Sequence, residues 1–281
     1  MPGAIAILSS VPAARETRER VAQAHEGELE CRVTKATRAA GPPSTLEDKI
    51  RVMDEAGVDK AICTVYKMYS YHNRRMLSEG SIDELAKAVG KYPTRLVGMT
   101  GYNPYRIKES LQDVKRSVRD YNFKGVHIHI YGFDMYLTDA RMYPLYALCE
   151  ELQVPVSMQV GHVLEAMPSK YGHPMQLDDI ILHFPALKLI GLHTGYPYSD
   201  VLISCCTKWD NIYFGLTSWL PRYVAPSIVT FMNGQGREQC MWGGAPSRIA
   251  FEQIDQLGLK PDVKENLLWK TAAKVYNLDA D

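Results

Sequence analysis

The stretch GVHIHIYGFDMYLTDARMYPLYALCEELQVPVSMQV, residues 125–160, contains a strand, a helix and a second strand in that order. Its two ends, 125–131 and 154–160, are short runs rich in apolar and β-branched residues, which is typical of buried strands. Between them, 142–152 carries apolar residues at helical spacing. Two strands joined through a helix pair in parallel, so this stretch predicts a βαβ unit.

The same unit recurs along the whole chain. Strands are predicted at 4–8, 60–66, 96–102, 125–131, 154–160, 187–192, 212–216 and 239–242. Helices are predicted at 46–56, 107–121, 142–152, 178–184 and 200–209, and 263–275 would complete the outer layer. Eight strand–helix units favour a (β/α)₈ TIM barrel of the α/β class, formed by one domain over 1–281. A doubly wound open sheet is the alternative fold, but no glycine-rich phosphate loop follows the first strand.

Two segments are longer than the repeat requires. The segment 11–44 forms an insertion after the first strand, which would act as a flap beside the barrel mouth or as an oligomer contact. The segment 161–175 follows the fifth strand. Loops in that position lie on the carboxyl-terminal face of a barrel, where active sites are found.

Composition excludes several classes of partner. The 281 residues include 32 Lys and Arg against 32 Asp and Glu, so no net charge favours nucleic acid or an anionic membrane. No apolar run approaches the length of a membrane span, and the N-terminus is a poor signal peptide. None of the six cysteines forms a CxxC pair, which favours reduced thiols in a cytoplasmic protein. We therefore expect a cytoplasmic protein whose partner is a small-molecule substrate.

Six phrases between about residue 45 and the end resemble the amidohydrolase-2 branch of the amidohydrolase superfamily, which includes aminocarboxymuconate-semialdehyde decarboxylase. They are MDEAGVDKAI (53–62), KYPTRLVGMTGYNP (91–104), FKGVHIHIYG (123–132), YPLYALCEELQVPVSMQVG (143–161), LDDIILHFPALKLIGLHTG (177–195) and MWGGAPSR (241–248). The resemblance implies a TIM barrel with decarboxylase-like chemistry, and it also implies a homodimer.

The resemblance also implies a divalent metal, and here the sequence departs from the family. The family's HxH pair on the first strand falls at Leu8 and Ser10, and its fifth-strand histidine falls at Gln159. The sixth-strand histidine is kept as His193, whereas the eighth-strand aspartate is replaced by Ala245. A catalytic zinc takes about three protein ligands, so we expect no metal cofactor at these positions.

The lost metal changes which reactions are favoured. A bound metal lowers the pKa of water from about 15.7 to about 7, which corresponds to roughly 12 kcal/mol. Hydrolysis depends on that activation, whereas decarboxylation, isomerisation and cyclisation can proceed by proton transfer. The sequence therefore favours a metal-independent lyase, decarboxylase-like, or an isomerase or cyclase, acting on a small carboxylated or phenolic substrate.

The candidate site residues lie at the predicted carboxyl ends of strands. His193, His129 and His127 are the candidate acid–base residues, because histidine titrates near neutral pH. The candidate substrate-binding residues are Gln159, Lys67, Tyr102, Tyr131, His162, Tyr196, Trp219 and Arg222.

Two other functions remain open from the sequence. A barrel that has lost its metal ligands could be catalytically silent and bind a ligand or a partner subunit. Alternatively, His127 and His129, two residues apart on one strand, could join His193 as relocated metal ligands in a metal-dependent decarboxylase or hydrolase.

Overall fold

The structure is a computed structural model that describes residues 4–9, 29, 31, 45–244 and 247–278. Most of the predicted insertion 11–44 therefore lies outside the described residues. Of its two described members, Cys31 donates its thiol to the carbonyl of Leu164, 3.5 Å away, in the loop 161–175.

Eight parallel strands form one sheet that almost closes on itself. The strands of the chain are β1 Ala4–Ser9, β2 Val58–Thr64, β3 Lys67–Tyr69, β4 Met76–Glu79, β5 Leu96–Gly101, β6 Val126–Ile128, β7 Val156–Gln159, β8 Leu189–Leu192, β9 Ile212–Leu216 and β10 Cys240–Trp242. The sheet runs in the order β1-β2-β5-β6-β7-β8-β9-β10. Gly243, directly after β10, packs against the Ile7 carbonyl of β1, where a Cβ would find no room. The prediction of a TIM barrel is confirmed.

Helices follow the strands and cover the outside of the sheet. They are α1 Leu46–Ala56, α2 Ile82–Lys91, α3 Ile107–Tyr121, α4 Tyr143–Glu151, α5 Gln176–His183, α6 Ser199–Lys208, α7 Pro226–Asn233, α8 Arg248–Asp255, α9 Pro261–Glu265 and α10 Thr271–Tyr276. A π-helical turn, Asn266–Lys270, joins α9 to α10. No helix within the described ranges is both long and apolar enough to cross a lipid bilayer.

Local sequence sets the bounds of these helices, as α1 illustrates. Thr45 and Asp48 form a capping box, in which the Thr45 hydroxyl accepts from the Asp48 amide at 3.0 Å and Asp48 accepts from the Thr45 amide at 2.9 Å. The helix ends at Gly57, whose φ of 72° is in the left-handed region that glycine tolerates.

The alternation of side chains along each strand divides the core in two. One set, represented by Val126, Ile128 and Val156, packs between the sheet and the helices. The other set fills the barrel lumen with apolar side chains; it includes Ile5, Ile7, Ile62, Met99, Ile190, Leu192 and Met241. Tyr276 of α10 belongs to this second set, so the final helix closes one end of the barrel.

The structure differs from the sequence-based expectation at several points, among them helices α2, α7 and α8, which were not predicted, and two further differences bear on the site. An antiparallel hairpin, β3 paired with β4, follows β2 and was not predicted. The strand predicted at 125–131 ends at Ile128, because the chain turns into a short 3₁₀ helix at Tyr131–Phe133. Both features lie beside the mouth of the barrel.

Candidate active site

His127 faces the lumen of the barrel. Its neighbours Val126 and Ile128 pack on the outer side of the sheet, so the side chain between them points inward. The ring nitrogen Nδ1 lies 3.1 Å from the Ser157 hydroxyl on the adjacent strand β7. The Tyr66 ring, just beyond β2, meets the imidazole edge-on at 5.3 Å between centroids.

His129 follows β6 directly and is almost fully buried, at 2% exposure. Neither of its ring nitrogens has a hydrogen-bond partner among the residues that the structure describes. The ring packs edge-on against Tyr131, with 5.5 Å between centroids. An imidazole always carries at least one N–H donor. A buried imidazole without hydrogen-bond partners can therefore bind a ligand or a water molecule.

His193 occupies a strained turn at the end of β8. Its φ of 61° is in the left-handed region, which costs a non-glycine residue about 1 kcal/mol or more. The turn is held by the His193 amide, which donates to the Thr217 hydroxyl after β9 at 2.8 Å. Strain of this kind often accompanies functional sites.

The three imidazoles are close enough to influence one another. Burial, and then the proximity of His129, lower the pKa of His193 to about 4. Burial and the two other histidines hold the pKa of His127 well below its usual value. Burial also lowers the pKa of His129, although the nearby carboxylate of Glu165 acts in the opposite direction. All three rings are therefore uncharged at neutral pH.

Most of the buried polar atoms that lack a partner in the described part of the chain lie in this region. They are Thr64 Oγ1 at the end of β2, His127 Nε2, both ring nitrogens of His129, and Glu165 Oε2 in the loop after β7. Each such atom costs about 1–3 kcal/mol if nothing binds it. Their concentration at the carboxyl ends of neighbouring strands marks a candidate ligand site.

The residues do not fit the metal that the family implies. Within the described ranges, no group of three or more His, Cys, Asp and Glu side chains is placed to hold a metal ion. His127, His129 and His193 therefore do not form the relocated metal site considered above. Of the family's ligand positions, the Leu8 side chain, Ser10 and Ala245 lie outside what the structure describes.

Two of the three predicted tyrosines, Tyr102 and Tyr131, use their hydroxyls internally. Tyr102 donates to the Arg141 carbonyl at 2.8 Å, and burial raises its pKa to about 12. Tyr131 donates to the carbonyls of Gly161 and Gln159 at 3.1 and 3.3 Å. Its pKa is raised by burial and by Glu165. Tyr131 thereby connects the histidine cluster to the loop 161–175.

The remaining binding candidates divide between the interior and the rim. Gln159 is buried as the last residue of β7, the strand that pairs with β6. Lys67 begins the hairpin, and its amine donates to the Gly80 carbonyl at 3.1 Å and lies 4.0 Å from Glu79. The charge of Lys67 is thus compensated within the hairpin.

Four of the predicted binding residues lie at the rim of the barrel mouth, namely Tyr196, Trp219, His162 and Arg222. The Tyr196 and Trp219 rings are 4.8 Å apart and 51% and 37% exposed. The His162 side chain is exposed, while its amide donates to the Tyr196 carbonyl at 2.6 Å. Arg222 packs over the Tyr223 ring and donates to its hydroxyl at 2.9 Å. Nothing brings Arg222 into contact with the three histidines within the described structure.

Sequence reasoning missed three residues of this region, namely Glu165, Tyr66 and Ser157. Ser157 could have been found, because it lies two residues before Gln159 on the same face of a strand. Glu165 carries no local pattern and is placed by the loop around it.

The fold and this strand-end cluster define a TIM-barrel protein whose site lies at the carboxyl face of the barrel. The family model Amidohydro_2, described as amidohydrolase, matches residues 38–278. The chain therefore belongs to this amidohydrolase family, as the motifs predicted.

Several solved structures share the fold. An uncharacterised TIM-barrel protein from Bordetella bronchiseptica is 21% identical, with a TM-score of 0.75 and 98% of each chain covered. The 5-carboxyvanillate decarboxylase LigW from Sphingomonas paucimobilis is 15% identical, with a TM-score of 0.75 over 99% of this chain and 100% of that one. A dihydroxybenzoic acid decarboxylase from Polaromonas sp. JS666, solved with manganese and 2-nitroresorcinol, is 16% identical, with a TM-score of 0.72 over 100% and 98%.

Proposed function

We propose that this chain is a lyase that removes CO₂ from a small carboxylated compound, such as a phenolic acid, by histidine acid–base chemistry. The observation that carries the proposal is His129, whose two buried ring nitrogens have no partner in the described structure and which lies within electrostatic range of His193 and His127. The decarboxylases among the similar structures support the same reaction class.

Decarboxylation suits a site of uncharged imidazoles. The bond between the substrate carbon and its carboxylate breaks, CO₂ leaves, and the electron pair that stays on the carbon takes up one proton. A neutral imidazole donates from one nitrogen and accepts at the other, so it can pass that proton from solvent to the carbon. We assign the exchange with solvent to His193, which is half-buried, and the transfer to the substrate to His129, which is buried.

The surroundings of the cluster favour a flat ligand. Tyr196 and Trp219 present two neighbouring rings at the rim, which suits an aromatic substrate. The Gln159 amide at the end of β7 can orient a carboxylate or hydroxyl group.

Metal independence is part of the proposal. Manganese is present in the Polaromonas structure, but the donor set described for this chain does not reproduce a metal-binding group. No step of the proposed reaction is assigned to a metal.

The first test is turnover. Purified full-length protein is incubated with a panel of hydroxybenzoic and other phenolic acids, and CO₂ release and product are measured. We expect turnover of at least one compound, and losses of about 100-fold or more in His193→Ala and His129→Ala. Arg119→Ala, an exposed substitution in α3, is the control. Absence of turnover across the panel, or full activity in the histidine variants, would overturn the proposal.

The second test concerns the metal. Metal content is measured by plasma mass spectrometry on tag-free protein, and activity is compared before and after chelator treatment and after addition of Mn²⁺ or Zn²⁺. We expect substoichiometric metal and unchanged activity. Activity proportional to bound metal would leave the lyase assignment in place and overturn its metal independence.

A further inference from the structure

Glu165 lies in the loop 161–175, which folds over the mouth of the barrel. The loop is fixed by contacts on several sides, because the Gly161 amide donates to the Gly172 carbonyl at 2.7 Å and the Cys31 thiol donates to the Leu164 carbonyl. Within the loop, the Val163 amide donates to the Ser169 hydroxyl at 3.2 Å. The position of Glu165 is therefore set by the fold and does not depend on its own side chain.

The Glu165 carboxylate faces the ends of two strands at once. Its charge acts on the ionisation of Tyr66 after β2, and on that of His129 and Tyr131 after β6. All three groups follow the carboxyl ends of barrel strands, where the polar atoms without partners described above also lie.

One oxygen of this carboxylate, Oε2, is buried and accepts no hydrogen bond from any described residue. Among the neighbouring groups, Tyr131 gives its hydroxyl proton to the carbonyls of Gly161 and Gln159, and the ring nitrogens of His129 make no hydrogen bond to this oxygen. A buried carboxylate oxygen without a donor is costly, because carboxylates accept strong, charge-assisted hydrogen bonds. A donor group on a ligand in the mouth would satisfy this oxygen.

We propose that Glu165 is a specificity-determining residue that accepts a hydrogen bond from a hydroxyl or amino group of the ligand. The ligand would present this donor to Glu165 while its acidic group approaches the uncharged imidazoles of His127 and His129. The negative charge of Glu165 repels the carboxylate of the ligand. The ligand is therefore expected to bind with its donor group, and not its acidic group, at Glu165. The proposal rests on the proposed function only in placing the ligand in the barrel mouth.

The test compares two probes that differ in one donor. The affinities of 4-hydroxybenzoate and 4-methoxybenzoate are measured by calorimetry for the wild type, Glu165→Gln and Glu165→Leu. Glu252→Gln, in which an exposed glutamate of α8 undergoes the same change of charge, is the matched control. Circular dichroism and thermal unfolding check that each variant is folded.

We expect the wild type and the control to prefer the hydroxyl probe by about 10- to 100-fold, as for a hydrogen bond to a charged group. The preference should shrink in Glu165→Gln and disappear in Glu165→Leu. A purely structural role would weaken both probes equally and leave their ratio unchanged, which would overturn the proposal. So would failure of both probes to bind at millimolar concentrations.

The result of this binding test does not depend on whether the protein decarboxylates any compound. A donor preference that depends on Glu165, in a protein that decarboxylates nothing, would reject the proposed reaction and retain the role of Glu165. Turnover of a substrate, together with an affinity ratio of the two probes that Glu165 variants leave unchanged, would retain the proposed reaction and reject the role of Glu165.

Discussion

The Ser157 hydroxyl holds the imidazole of His127 in one orientation, with Oγ 3.1 Å from Nδ1. The same hydroxyl donates its only proton to the Val126 carbonyl at 3.3 Å, so it accepts from the imidazole. This arrangement favours a His127 that carries its proton on Nδ1, which leaves Nε2, without a partner in the described structure, as an acceptor.

The first prediction follows from this tautomer. Nitrogen NMR at neutral pH should show His127 protonated at Nδ1 and unprotonated at Nε2. In Ser157→Ala the preference of His127 for the Nδ1-protonated tautomer should be lost, and the free energy of unfolding should decrease by about 1 kcal/mol. Ser204→Ala, on the exposed side of α6, should change neither. A His127 protonated at Nε2 in the wild type would contradict the hydrogen-bond assignment.

The second prediction concerns stability against pH. The pKa of His193 is about 4 in the folded protein, against an unfolded value near 6.5. Between these two values the unfolded chain binds more protons, so the free energy of unfolding decreases as the pH falls through this window. His193 alone contributes about 3 kcal/mol to that decrease, and the lowered pKa values of His127 and His129 act in the same direction.

Urea unfolding at several pH values checks this prediction. His193→Gln cannot take up the proton, so its stability should depend less steeply on pH than that of the wild type between about pH 6.5 and about pH 4. Parallel curves for the two proteins would mean that the His193 ring is solvated and titrates normally.

The third prediction concerns Gly172, which packs against the Tyr131 ring so closely that a Cβ would overlap the hydroxyl. Gly172→Ala should displace Tyr131, weaken its bonds to the loop 161–175, and reduce the free energy of unfolding by about 1–3 kcal/mol. Gly90→Ala is the matched control, because a Cβ there meets nothing within 4 Å. In helix α2 that alanine should stabilise by about 0.5–1 kcal/mol. Equal effects of the two substitutions would exclude close packing at Gly172.

The fourth prediction uses Trp219 as a reporter of ligand entry. Its ring is partly exposed beside Tyr196 at the rim, so an aromatic acid binding in the mouth should change its fluorescence. Trp219→Phe should abolish the change, whereas Trp269→Phe, in the π-helical turn, should preserve it. A signal that persists in Trp219→Phe would place binding elsewhere.

The barrel could be predicted from sequence because each strand and helix is encoded by its own local pattern. The predicted runs 96–102 and 212–216, for example, correspond to β5 and β9 within one residue at each end. The hairpin could not be predicted, since β3 has only three residues and all of them are half-buried, which leaves no clear alternation. Its formation redirects the Lys67 amine to Gly80, a contact that no local pattern contains.

The site was predictable where a strand carries it. The spacing of His127 and His129 on one strand implies a common face, and the structure shows that His127 faces the lumen. Glu165 was not predictable, because its position depends on a loop whose contacts reach from Cys31 to Tyr196, far apart in the sequence. The roles of these residues in binding and catalysis remain predictions for the experiments above.

The closure of the lumen by Tyr276 bears on how the protein forms during synthesis. Tyr276 is supplied by a helix that follows all eight barrel strands in the chain, and it belongs to the same apolar cluster as Ile5 and Ile7 of the first strand. While the ribosome is still translating the preceding segments, these isoleucines have no cover at that end of the barrel. The nascent chain must therefore keep an apolar surface from aggregating until translation has passed residue 276, so we expect ribosome-associated chaperones to engage its early strands.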